Sequence, residues 1–355
     1  MPMTYWRYLQ LDQLLQLQEG AGEPSADELH FVVVHQTFEL WFKLVLTQLR
    51  LARDHLASPK VPEEKIPFVV HHLGRVNEIF RLGVQQFGVM ETLPPQDFLA
   101  FRDRLFPASG FQSVQLREIE ILLGLNEKAR IQYGGMDPLE HIRKFAEENP
   151  ADAWVWERIA RVRAEVSLRA ALHAWLARTP IHGSSPGDAG DEQVVQDFLQ
   201  DYYARSERYA MASIERLVTG LGETERAAVT GRIHASLAGL RQFLFPDDAP
   251  LRRVHAALLF IESYRELPLL AWPRLLLDTI AECEEQMLLF RNRHARMVER
   301  TIGRRVGTGG SSGVDYLDQT TSYRLFPEIW QVRSALLSRE WLPGVGQRDR
   351  YGFVG

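Results

Sequence analysis

An all-α fold is predicted for this 355-residue chain by three features of its sequence. Long Leu-rich segments repeat their apolar residues every three or four positions, alternating strand-like runs are almost absent, and turn-forming residues gather in a few short stretches. Ser25 and Glu28 form an S-x-x-E capping box directly before an apolar run, which predicts a helix from about Ala26 to about Leu56. Between Leu29 and Leu49 that helix is apolar on most sides, so it should be central and buried. Further helices are predicted around Lys65 to Gly88, Pro95 to Leu105, Val114 to Leu125, Leu139 to Ala177 with interruptions, and Glu192 to Leu217. The stretch His182 to Gly190 is a loop by composition, suited to a flap or a linker. A helical pattern returns from Glu223 to about Phe243 and again from about Val254, beyond the Pro246 to Pro250 turn. Pro268 and Pro273 bracket a break, and a new helix is expected from about Pro273 to Ile302 with Gly303 as its C-cap. The glycine-rich run Gly307 to Gly313, a short helical region and a polar tail beyond Pro343 complete the chain, which contains no internal repeat.

Composition narrows the function. Hydrophobic residues make up 45% of the chain, enough for a real core, and the net charge is −5 with no basic run able to follow a phosphate backbone. Nucleic acid is therefore not an expected partner. No apolar run reaches the ~18 residues of a membrane span, and the N-terminus lacks the layout of a secretory signal, so no membrane association and a cytoplasmic location are expected. Cys283 is the single cysteine, which rules out intrachain disulfides and cysteine-rich zinc or iron–sulfur sites. A metal must come with other ligands or inside a cofactor.

Two histidines sit where solvated histidines do not belong. Phe31, His35, Phe38 and Phe42 fall at i, i+4, i+7 and i+11, placing His35 within an aromatic stripe. On the late helix Ile280, Cys283, Met287, Phe290, His294, Met297 and Thr301 repeat at spacings of three and four, placing His294 in the apolar stripe. A buried imidazole needs a hydrogen-bond partner, a ligand or a metal. For His35 alone, a core histidine bonded to a carbonyl is the plainer reading. Neither residue belongs to an H-E-x-x-H pair, and no nearby donors complete a zinc site, whereas attachment through one histidine suits haem iron. Phe98 and Arg102 are i, i+4 neighbours, so Arg102 stands at the edge of an apolar face; it could fork onto a carboxylate, or simply snorkel to the surface. The Gly307 to Gly313 run follows no strand and lacks a Gly-Lys-Ser/Thr ending, so it is either a flexible linker or a tight loop bringing its backbone and Thr308 close to a ligand.

Five separated segments resemble the tryptophan 2,3-dioxygenase family in order and spacing. They are Tyr5-x-x-Tyr-Leu-Gln-Leu-Asp-Gln-Leu-Leu15, Asp27-Glu-Leu-His-Phe-Val-Val-Val-His-Gln-Thr-Phe-Glu-Leu-Trp-Phe-Lys43, and Phe101-Arg-Asp-x-x-x-Pro-Ala-Ser-Gly-Phe-Gln-Ser113. His294-x-x-x-Val-x-Arg-x-Ile-Gly-x-x-x-Gly-Thr-Gly-Gly-Ser-Ser-Gly313 is the most specific, and Leu336-Leu-Ser-Arg-Glu-Trp-Leu-Pro343 is the last. The resemblance is good over roughly residues 4 to 125 and 255 to 343. It implies a helical bundle enclosing b-type haem, one domain over residues 1–355 with a helical insertion at about 218–265 like that of the longer, animal-type members, and a homotetramer. The implied activity converts L-tryptophan and O2 to N-formylkynurenine.

By the same resemblance His294 is the axial iron ligand and His35 the distal residue near the indole nitrogen. Arg102 clamps the substrate carboxylate, Thr308 binds the amino-acid end with Ser109 nearby, and Phe31 and Phe98 sandwich the indole. Tyr5 and Tyr8 complete the neighbouring subunit's pocket. Two positions depart from the family pattern: Phe290 stands where a tryptophan often precedes the axial histidine, and Trp6 follows Tyr5 where glycine is usual. The competing readings are a related haem mono-oxygenase acting on a substituted tryptophan and a helical scaffold without chemistry.

Overall fold

The computed structural model describes residues 2–18, 24–132, 135–305 and 313–352. Its helices are, in chain order, α1 (Tyr5–Tyr8), α2 (Leu11–Leu14), α3 (Ala26–Ala57), α4 (Ile66–Met90), α5 (Pro95–Arg102), α6 (Val114–Leu123), α7 (Pro138–Glu148) and α8 (Ala153–Arg163). They continue with α9 (Leu168–Leu176), α10 (Asp191–Leu217), α11 (Glu223–Leu244), α12 (Ala249–Ser263), α13 (Ala271–Ile302), α14 (Gly313–Thr320) and α15 (Pro327–Ala335). No β-strand occurs among the described residues. The all-α prediction holds, and none of these helices is long and apolar enough to cross a membrane.

Local chemistry explains the boundaries, including those misjudged from sequence. Ser25 Oγ accepts from the Glu28 N–H at 3.2 Å, but the second half of the expected capping box is diverted, because the Glu28 carboxylate accepts from Arg104 at 2.5 Å instead. Helix α12 starts five residues earlier than expected. Asp248 caps it through the Leu251 N–H at 2.9 Å, so Pro250 lies inside the first turn, where a missing N–H costs nothing. The short helices α1 and α2 were not anticipated; they are separated at Gln10, whose φ of +51° is left-handed.

Two compact units divide the chain. The first comprises Met1–Arg50, Gly74–Glu165 and Cys283–Arg324, and the second Leu51–Leu73, Val166–Glu282 and Leu325–Gly355. In the first unit an aromatic cluster of Phe38, Phe80, Phe87 and Phe290 joins α3, α4 and α13, with ring centroids 4.9–5.7 Å apart. Gly83 makes this approach possible, since a Cβ there would meet the Phe290 ring at 3.3 Å. Around α6, Val114 packs with Leu139 of α7 and Ile159 of α8.

In the second unit the predicted 182–190 loop is present, but its N-terminal end is held firmly. Backbone bonds between Ile181 and Ser184 close a tight turn. The Tyr351 hydroxyl accepts from the Gly183 N–H at 2.8 Å and donates to the Pro180 carbonyl at 3.0 Å, while the Gly346 N–H donates to His182 Nδ1 at 2.7 Å. Gly183, at φ +78°, leaves no room for a side chain, since a Cβ would meet Gln347 at 2.8 Å. Buried His255 of α12 stacks on Phe243 and bonds its carbonyl at 2.6 Å, satisfying an acceptor at the end of α11.

Candidate active site

The first unit encloses an apolar cavity with two adjoining lobes of about 200 and about 350 Å3, a size suited to small-molecule and cofactor sites. Both lobes are lined by Phe31, His35, Ser109, Phe290 and His294, so the two stripe histidines share one space. Phe98, Arg102 and Thr301 line the first lobe, and Phe38, Glu39 and Phe87 the second.

His35 has a defined role for each ring nitrogen. Its Nδ1 lies 2.8 Å from the Phe31 carbonyl one helical turn back, and a carbonyl can only accept. Nδ1 therefore carries the hydrogen, and in the neutral ring Nε2 is left as an acceptor. Burial lowers the His35 pKa, partly offset by that carbonyl and by Glu39. The core-histidine reading is thus half right: the carbonyl bond exists, and the same ring also faces the cavity.

His294 differs. Its ring lies parallel to Phe87, with centroids 5.4 Å apart and planes at 7°, and neither nitrogen has a hydrogen-bond partner among the described residues. Burial, with His35, Arg117 and Arg291 nearby, brings its pKa down to about 4, so the ring is neutral and a nitrogen lone pair is available. Ion pairs on either side fix the turn of α13 that carries it: Arg291 reaches Glu120 at 2.6 Å, and Arg293 reaches Glu91 at 2.7 Å.

The remaining predicted residues separate into three groups. Phe31, Phe98, Arg102 and Ser109 meet at the cavity; Ser109 also caps the turn 110–112 by accepting from the Phe111 N–H at 3.3 Å. The Phe31 and Phe98 rings are tilted by 33° with centroids 5.7 Å apart. Tyr5 and Tyr8 lie on α1 at 71% and 74% exposure and do not line the cavity of their own chain. Thr308 lies outside the described residues, although Gly313 at the end of its glycine-rich run opens α14 and lines the cavity.

The sequence model of the tryptophan 2,3-dioxygenase family matches residues 1–336. Tryptophan 2,3-dioxygenase 2 of Ralstonia nicotianae is 46% identical over 367 aligned residues, covering 99% of this chain and 98% of its own length. The chain belongs to the tryptophan 2,3-dioxygenase family. Tryptophan 2,3-dioxygenases of Sorangium cellulosum and Dictyostelium discoideum are 44% and 33% identical over 366 and 363 residues, with 99% and 96% of this chain and 87% and 85% of theirs covered.

For a tryptophan 2,3-dioxygenase family member the donor set is informative. Among the described residues no group of three His, Cys, Asp or Glu could hold a bare metal ion. One neutral imidazole with no hydrogen bond, in an apolar cavity, fits a haem, whose porphyrin brings four ligands of its own. Phe290 has no polar hydrogen to offer; its ring belongs to the aromatic cluster. Sequence reasoning missed Arg117 and Glu120 on α6 and Arg291 on α13, charged residues buried beside or at the cavity wall. Arg291, three residues before His294 on the same helix, was the available signal.

Proposed function

We propose that this chain is a haem-dependent dioxygenase that converts L-tryptophan and O2 to N-formylkynurenine. The observation that carries the reading is the pairing of two neutral, differently bonded histidines on one apolar cavity. His294 would hold haem b through its iron. When bound, that cofactor supplies the activation of O2, from which both oxygen atoms pass to the C2–C3 bond of the indole.

The chain's own residues bind and orient. His35 Nε2, fixed as an acceptor by the Phe31 carbonyl, takes the indole N–H and so sets how the ring is turned within the cavity. It acts by positioning and polarisation rather than as an obligatory base. Phe31 and Phe98 cover the indole faces. To hold an indole between them, their centroids must part from 5.7 Å to roughly 7 Å, two van der Waals spacings, a side-chain adjustment of the kind ligand binding commonly brings. Arg102 forks onto the amino-acid carboxylate, with Ser109 and Thr308 at the same end of the substrate. The apolar lining keeps water from the reacting carbons.

Tyr5 and Tyr8 are exposed on α1, which supports assembly as a homotetramer in which they complete a neighbour's pocket. We place the enzyme in the cytoplasm and read the chain as one dioxygenase domain with a helical insertion at about 218–265.

Anaerobic reduction of the haem-loaded protein, followed by L-tryptophan and O2, tests the reading. N-formylkynurenine with both oxygens from O2 is expected. A product carrying one added oxygen, or no haem uptake at all, would overturn it.

A further inference from the structure

The cavity wall beside His294 holds charges that the substrate and the iron ligand leave unexplained. Glu120 is fully buried and binds three guanidinium groups from three parts of the first unit. Its Oε2 accepts from Arg117 and Arg130, each at 2.8 Å, and its Oε1 accepts from Arg291 at 2.6 Å. Arg117 and Arg291, 4% and 8% exposed, both line the cavity, and each guanidinium lies over an aromatic ring: Arg117 5.5 Å from Phe111, Arg291 4.8 Å from Tyr323. Arg117 Nε is buried without a hydrogen-bond partner. Beyond Glu120 the only other carboxylate paired with these arginines among the described residues is half-exposed Asp137, 4.0 Å from Arg130. Three buried cations therefore surround one buried anion. A stability motif alone would not need this, because replacing a buried ion cluster with apolar residues is often neutral or favourable.

We propose that Glu120 is a positioning residue that sets the electrostatic field at His294. It holds Arg117 and Arg291 against the cavity wall and cancels only part of their charge, leaving a net positive wall beside His294. Such a wall favours the electron-rich, reduced state of an iron there and attracts anionic ligands over neutral ones. Glu120 also accepts from Arg291 one turn before His294, so the group that sets the field helps fix the direction of the imidazole. This inference rests on the haem reading of the site.

The test compares azide, an anion, with imidazole, a neutral ligand, binding to the ferric haem-loaded protein, together with its midpoint potential. Glu120→Gln keeps an oxygen and the side-chain shape but adds one net positive charge. The ratio of azide to imidazole affinity is expected to rise by roughly fivefold, with the potential more positive, as one charge acting at short range through a partly shielded interior predicts. Arg130 does not line the cavity; Arg130→Met removes one positive charge and should shift both readouts the opposite way, which keeps the test intact if Glu120→Gln does not fold. Local loosening would change both affinities together and leave the ratio fixed. An unchanged ratio in a protein that binds haem overturns the role of Glu120 alone, whereas a parent protein that takes up no haem overturns this inference and the haem reading together.

Discussion

His294 in the first unit and His255 in the second both lie among aromatic rings, both stack on a phenylalanine, and both have pKa values lowered by desolvation, but His255 is buried whereas His294 is half-buried and lines the cavity. Their hydrogen bonding differs. His255 Nδ1 bonds the Phe243 carbonyl at 2.6 Å, whereas His294 has no such partner among the described residues. An imidazole that lines a cavity without a partner of its own among the described residues can meet something from outside the chain, whereas one bonded to a carbonyl is already occupied. The bonded ring belongs to the scaffold; the unbonded one marks a ligand position.

The comparison can be broken by exchanging the losses. His294→Ala should abolish stable haem uptake, an effect of more than ~100-fold in affinity read from the Soret band, because one imidazole carries the attachment. His255→Ala should leave the Soret band intact but destabilise the protein by about 2–4 kcal/mol in denaturant unfolding, through a lost bond, an orphaned carbonyl and a cavity. If both variants lose haem equally, the distinction between the two rings fails. Arg102→Leu should raise KM for tryptophan by roughly tenfold or more with a smaller change in kcat, as expected for one charge-assisted contact to the substrate carboxylate.

The last effect is a pH dependence. The unfolded chain protonates a histidine near pH 6.5, while folded His294 resists until about 4, so the stability held by the neutral ring is complete above 6.5 and is lost as pH falls toward 4. In the haem-free protein His294→Phe should flatten unfolding free energy across that window by up to ~1.4 kcal/mol per pH unit. A slope equal to that of the parent would mean that His294 is already protonated there.

Periodicity made α3 and α13 legible, since a long apolar stripe survives any tertiary context, and it placed His35 and His294 on those stripes. Helices α1 and α2 were not legible, because four residues carry no period. The start of α12 was hidden by Pro250, which reads as a breaker unless its place in a capped first turn is known. Within the site, Arg102 and Ser109 drew their roles from family resemblance; alone, a half-buried arginine and a turn serine read as surface. Glu120 was hidden for a different reason. In the sequence of α6, Arg117, Glu118 and Glu120 look like a solvated face, yet all three are buried: Arg117 pairs with Glu120 on the same helix, and the two glutamates find Arg158, Arg130 and Arg291 outside it.

The turn at 180–184 is completed by Tyr351, 168 residues after Gly183 in the sequence. During synthesis, helices α9 and α10 on either side of that turn leave the ribosome long before its hydroxyl partner has been made. The second unit can gather its helices as they emerge, but it must wait for the last part of the described chain to fasten them. A nascent chain arrested before residue 351 should therefore hold the 180–184 turn by its own backbone bonds alone and be cut there by a protease more readily than the full chain, even where the neighbouring helices have already formed.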